Sequence, residues 1–239
     1  MSGNRRRRMI DAPLLLFGGG AAPVIPWYLS GGVAAANCIA AYKSIGAASL
    51  AASYINLANP GTYDLTVHAA GTAPNFNTVT GWQFVAAGPD ALNTGYVPGN
   101  TVNRSIIARI SGATVDAATR GICGTRSGNA FYGIMNTTAE SKAYFYNGNG
   151  TNNGLYVHST NIADGVLAIS GLDAYLDGVD IGNIGTAAAN YNLGTAAVGI
   201  GLMTGVVSNL FNGYILAVAM YDIALTPAQV SAISTAMSF

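Results

Sequence analysis

The sequence is poor in charge. Only 8% of its 239 residues are Asp, Glu, Lys or Arg, against roughly 25% in an average soluble domain. Ten basic and ten acidic groups cancel. Four of the basic ones, Arg5, Arg6, Arg7 and Arg8, are consecutive, so the chain beyond residue 11 holds six basic and nine acidic groups. That body lacks the basic stripe nucleic-acid binding needs, leaving the arm as the only part expected to reach nucleic acid. Disorder is excluded too, because disordered chains pair low hydrophobicity with high net charge, and 51% of this one is apolar.

Cysteine and histidine are equally scarce. Cys38 and Cys123 are compatible with one bridge or with two buried thiols, not with a disulfide framework,. With His68 and His158 as the only histidines, a Cys/His zinc site is not expected,. No apolar run reaches the roughly 18–20 residues of a membrane helix. Arg5–Arg8 followed by Leu14–Phe17 superficially looks like a secretion signal, but Asp11, Pro13, Gly18–Gly20, Pro23 and Pro26 interrupt its apolar stretch, so no cleavable signal peptide is expected.

The remaining pattern is that of strands. Residues 1–36 read as an extended basic and apolar arm without helix, carrying Arg5–Arg8, Leu14, Leu15, Leu16, Phe17 and Trp27 for attachment to an assembly,. Residues 37–239 read as one domain. Residues 37–53, rich in alanine behind Asn37, read as a helix. Short strands follow at Trp82–Ala87, Leu92–Val97, Arg104–Ser111, Ala130–Asn136, Lys142–Asn147, Val166–Ser170, Leu172–Asp177, Ala196–Gly201 and Asn212–Tyr221. Their spacing predicts an all-β fold, a two-sheet antiparallel jelly-roll sandwich. In Leu172–Asp177 the apolar Leu172, Ala174 and Leu176 alternate with Asp173, Tyr175 and Asp177, the period of a half-buried strand,. Asp177-Gly178 then suits a tight hairpin. Thr226-Pro227-Ala228-Gln229 predicts a capping box and a C-terminal helix that aligns Val230, Ile233 and Met237 on one face,.

Three stretches carry a resemblance. Trp82-Gln83-Phe84 with Leu92-Asn93-Thr94-Gly95, then Ala174–Gly178, then Phe211–Ile215 with Met220–Thr226, together resemble the concanavalin A-like lectin/glucanase superfamily, in particular its laminin-G-like jelly rolls. The likeness covers about residues 60–239. It implies glycan or protein binding, with polysaccharide hydrolysis in some members. It also implies settings such as bacterial surface proteins and phage tails or capsids.

Chemistry is sparse. Retaining glycosidases need two carboxyls about 5 Å apart, whereas Glu140 is the single glutamate and Asp173, Asp177 and Asp180 form the only dense acidic group. No enzyme is expected. No organic cofactor is expected either; calcium, which takes six to eight oxygens, is the one ion that Asp177, Asp180 and Asn183 could help to hold. His68 and His158 sit in no nucleophile-elbow pattern. For glycan binding, Tyr144, Tyr146, Asn147, Asn149, Asn152, Asn153 and Tyr156 combine aromatic rings with amides around a glycine-rich loop. The functional expectation is a structural or adhesion protein of a virion or similar assembly, its partners being other copies, other structural proteins or surface glycans. A free-standing lectin is the alternative and a polysaccharide hydrolase the third reading. A virion or extracellular location follows from the same reading.

Overall fold

A computed structural model describes residues 24–114, 118–137, 142–149, 154–185, 192–205 and 209–239. The strands are β1 (Cys38–Lys43), β2 (Thr66–Val67), β3 (Asn75–Asn77), β4 (Gly81–Phe84), β5 (Leu92–Asn93), β6 (Ser105–Ser111), β7 (Arg120–Ser127) and β8 (Ala130–Thr137). They continue as β9 (Lys142–Asn149), β10 (Leu155–His158), β11 (Gly165–Ser170), β12 (Asp173–Leu176), β13 (Val179–Asn183), β14 (Gly199–Ile200), β15 (Met203–Thr204) and β16 (Gly213–Tyr221). One helical turn, α1 (Leu50–Ser53), and one helix, α2 (Pro227–Ala236), complete the order.

The strands form two stacked sheets of eight. Sheet A runs β13-β12-β11-β6-β16-β4-β3, with β1 also on β16. Sheet B runs β10-β9-β8-β7-β14-β5-β2, with β15 parallel to β7 in an otherwise antiparallel array. In sheet A, β16 pairs with β6 along one edge. Its other edge is shared: β4 takes Gly213–Ile215 and β1 takes Ala217–Tyr221. Ser44 closes that seam. Its amide donates to Leu216 O (2.9 Å), and its hydroxyl donates to Ile215 O (2.8 Å) while accepting from Trp82 N (3.1 Å). The fully buried backbone groups at the junction are thereby satisfied.

Two apolar layers hold the fold. Between the sheets lie Tyr42, Trp82, Phe84, Ile106, Tyr132, Phe145 and Phe211. Trp82 is wholly buried, and its indole N–H donates to Ser53 Oγ at 2.8 Å. The second layer covers the outside of sheet A. There Ala41, Ala217 and Ala219 leave room for α2, whose Val230, Ile233 and Met237 pack with Cys38, Ile107, Tyr175 and Tyr221. Each large apolar side chain so buried contributes about 1.5–3 kcal/mol. The capping box forms as the sequence predicts, with Thr226 Oγ1 accepting from Gln229 N and Gln229 Oε1 from Thr226 N.

Three sequence expectations need correction. The segment expected as a helix over 37–53 is strand β1 for Cys38–Lys43, and only Leu50–Ser53 is helical. Its Ala40 and Tyr42 face the inter-sheet core while Cys38 and Ala41 face α2. Burial on both faces and pairing with β16 override alanine's helical preference. The arm expected to be extended through residue 36 packs on the body from Trp27 onward and forms 3-10 turns at Trp27–Leu29 and Ala35–Asn37. Trp27, Tyr28 and Leu29 pack on the α2 layer, and Tyr221 Oη donates to Tyr28 O at 2.8 Å. Arg5–Arg8 and Leu14–Phe17 lie outside the described residues. Finally, β12 is buried on both faces: Tyr175, expected on the solvent side, is 1% exposed because α2 covers it.

Candidate functional site

The outer face of sheet B is assembled by register. In β9, Ala143, Phe145 and Asn147 point inward and are buried, so Tyr144 and Tyr146 point outward and remain half-buried. In β8 the inward Tyr132 and Ile134 send Phe131 outward in the same way,. Phe131 faces Gly148 across the ladder and Tyr146 faces Gly133. Neither glycine offers a side chain, so the two rings lean diagonally together, with centroids 4.7 Å apart and planes at 23°,. Tyr144 extends the stack on Tyr146 at 5.8 Å and 15°.

Glycine is required beneath this stack. Gly133 pairs with Gly124 of β7, at φ +150° and +154°. A Cβ on Gly133 would lie 2.3 Å from Cys123 O and 2.5 Å from Gly124 Cα. Beyond Phe131, its pair partner Arg126 lays its guanidinium carbon 4.5 Å from the ring centroid,. Arg126 Nε donates to Gly128 O at 2.9 Å, fixing the guanidinium at the hairpin end of the sheet. The result is a ridge, Arg126–Phe131–Tyr146–Tyr144.

Of the residues expected to bind glycan, only Tyr144 and Tyr146 are brought together here. Asn147 is a core residue: its Nδ2 donates to Val102 O (3.0 Å) and Gly171 O (2.7 Å), and its Oδ1 accepts from Arg104 (3.2 Å). Tyr156 lies on the opposite face of the sheet, tilted against Phe145 at 6.1 Å. Asn149 ends β9, while Asn152, Asn153 and Glu140 fall outside the described residues. Phe131 and Arg126 were not anticipated. The alternation of Ala130, Tyr132 and Ile134 in the sequence was the signal that could have placed Phe131 outward.

The acids take part in local hydrogen bonds. Asp177 Oδ1 accepts from Val166 N (2.8 Å), Asp180 Oδ1 from Gly182 N (2.9 Å), and Asn183 Nδ2 donates to Asp173 Oδ1 (2.7 Å). Among the described residues, no three His, Cys, Asp or Glu gather where a metal ion could sit. His68 Nδ1 accepts from Ala70 N (3.2 Å), and His158 Nδ1 lies 3.0 Å from Thr160 O, so each ring is tied to its own turn. Cys38 and Cys123 are free, buried thiols; burial foremost, then the Asp222 charge, pushes Cys38 up to about 12, far from a reactive thiolate,. On the other face of the molecule, a groove of about 290 Å³ runs past Arg109, Ser111, Tyr214, Leu216 and Phe239. Lys43 Nζ sits 3.7 Å above the Phe239 ring there.

No protein-family model and no curated protein sequence matches this chain. Solved structures do. One is a Trypanosoma rangeli sialidase, at 13% identity and TM-score 0.56, covering 89% of this chain and 35% of the sialidase. Another is the binding domain of botulinum neurotoxin DC in complex with rat synaptotagmin II, at 10% and 0.60, covering 86% and 53%. A third is domain 4 of AbnA, a GH43 extracellular arabinanase from Geobacillus stearothermophilus, in complex with arabinotriose, at 16% and 0.51, covering 83% and 98%. This chain thus spans about a third of the sialidase and half of the neurotoxin domain, but nearly all of the arabinanase domain. At such identities the likeness establishes the fold alone, a two-sheet β-sandwich of lectin-like architecture.

Proposed function

We propose that the protein is a non-catalytic carbohydrate-binding adhesion module whose ligand lies along the outer face of sheet B. The carrying observation is the Phe131–Tyr146–Tyr144 stack. It leaves three half-buried aromatic rings in a row on an outward sheet face. Tyrosine at such a surface combines contact area with a polar tip at low entropic cost. Sugars offer C–H groups and hydroxyls to match. The arabinotriose complex of the similar arabinanase domain supports the reading by analogy,.

The absence of catalysis in this proposal rests on the aspartates, since Asp173, Asp177 and Asp180 each accept a hydrogen bond from a neighbouring strand or from their own strand's backbone. We assign the segment before residue 24, with Arg5–Arg8 and Leu14–Phe17, to attachment within an assembly such as a virion, on composition alone.

A glycan array tests the proposal. The wild-type protein binds a defined oligosaccharide class, and Tyr146→Ala weakens binding about tenfold or more while the melting temperature stays within a few degrees. Equal binding by the two proteins would overturn it.

A further inference from the structure

We infer that the ligand is an acidic oligosaccharide, whose carboxylate or sulfate is taken by Arg126; this rests on the ridge being the sugar site. Three observations converge. Strands β7 to β10 contain Arg120, Arg126 and Lys142 and no Asp or Glu. Seven of the described acids, from Asp64 to Asp222, lie outside these four strands, at the opposite sheet or in turns. In the sequence, Glu140 and Asp116 also fall outside the four strands, in the segments before β9 and before β7.

The commitments of the cations separate Arg126 from the rest. Arg104 is buried against Tyr132 and Asn147, Arg109 donates to Met237 O, and Arg120 donates to Leu210 O. Arg126 spends its Nε on Gly128 O, and its two terminal nitrogens hydrogen-bond to nothing among the described residues. A guanidinium held over an aromatic ring and anchored through its Nε is preorganised for a planar, two-toothed contact with a carboxylate or sulfate,. An anion is therefore favoured along this ridge and a neutral sugar gains less.

The test is a glycan array carrying sialylated, uronic-acid, sulfated and neutral oligosaccharides, followed by titration calorimetry. The calorimetry pairs the tightest acidic glycan with its neutral counterpart, desulfated, desialylated or carboxyl-reduced. Acidic glycans dominate the array, Arg126→Gln weakens the acidic partner about 30-fold, and the neutral partner is unaffected. Arg126→Lys restores only part of the loss, because a point charge replaces the fork. Affinity also falls as salt is raised. Neutral glycans bound equally by wild type and Arg126→Gln, yet lost in Tyr146→Ala, would overturn the charge assignment and leave the ridge standing. No glycan bound at all would overturn both.

Discussion

Arg104 donates to Asn147 Oδ1 at 3.2 Å, and that contact fastens the start of β6 in sheet A to β9 in sheet B. Asn147 extends the bridge to Val102 O and Gly171 O, and Arg104 also donates to Gly99 O and stacks 4.1 Å over Tyr132. Both residues are buried, Arg104 at 1% exposure. A buried guanidinium that loses an acceptor costs more than the bond contributes. Asn147→Ala therefore lowers stability by about 3 kcal/mol, read by urea unfolding. Glycan affinity measured well below the melting transition stays unchanged, since the side chain points away from the ridge. Loss of affinity at full stability would return Asn147 to the binding site.

The Asp177–Gly178 hairpin gives a second test. Asp177 and Gly178 have φ of +50° and +79°, as a tight hairpin turn requires,. A Cβ on Gly178 would lie 2.8 Å from Ser231 Cα of α2. Gly178→Ala combines backbone strain with that clash and lowers stability by about 2 kcal/mol or more. Chemical denaturation measures it; a change under 0.5 kcal/mol would mean the turn is not packed beneath α2.

The helix cap is a smaller, separable contribution. Thr226→Ala removes the acceptor for Gln229 N and costs about 1 kcal/mol,. Thr226→Ser retains the oxygen and most of the stability. Equal losses in the two variants would show that the hydroxyl oxygen is not what caps α2.

Alkaline pH destabilises the fold through buried acids that stay protonated. The folded state holds Cys38 up to about 12 through burial and then Asp222. It holds Tyr175 up to about 12 through burial, then the charges of Asp173 and Asp180. In the unfolded chain these groups ionise near about 8.5 and about 10. Between each pair of values the unfolded state binds fewer protons, so stability falls as pH rises. The contribution is fully present below about pH 8 and is lost toward pH 12. Thermal melts across this range follow it, and Tyr175→Phe flattens the upper part of the fall. Melting temperatures constant to pH 11 would contradict it.

The sequence was most legible where a strand shows alternation, as β9 does, or a compact apolar run, as β6, β11 and β16 do although both their faces are buried. β6, β8, β9, β11 and β16 appear within a residue or two of their expected bounds, because alternation or compact apolar runs marked them. β1 was read as helix because its alanines carry no alternation once both faces are covered. β7 was passed over because Gly121 and Gly124 interrupt it, and the need for glycine at 124 shows only once β8 and Met203 are packed against it. The site was half legible for the same reason. Tyr144 and Tyr146 announce themselves by spacing, whereas joining Phe131 and Arg126 to them takes the pairing register of three strands. Asn147 looked like a sugar ligand until its inward direction was known.

The location of the bound sugar is the most direct test of this account. With the protein labelled at aromatic and arginine side chains, nuclear magnetic resonance titration with the tightest array glycan reports which groups it meets. Signals of Phe131, Tyr144, Tyr146 and the Arg126 guanidinium shift together and saturate at the calorimetric affinity. Shifts confined instead to Arg109, Tyr214 and Phe239, with the sheet B ridge unmoved, would contradict it and move the site to the groove on the opposite face.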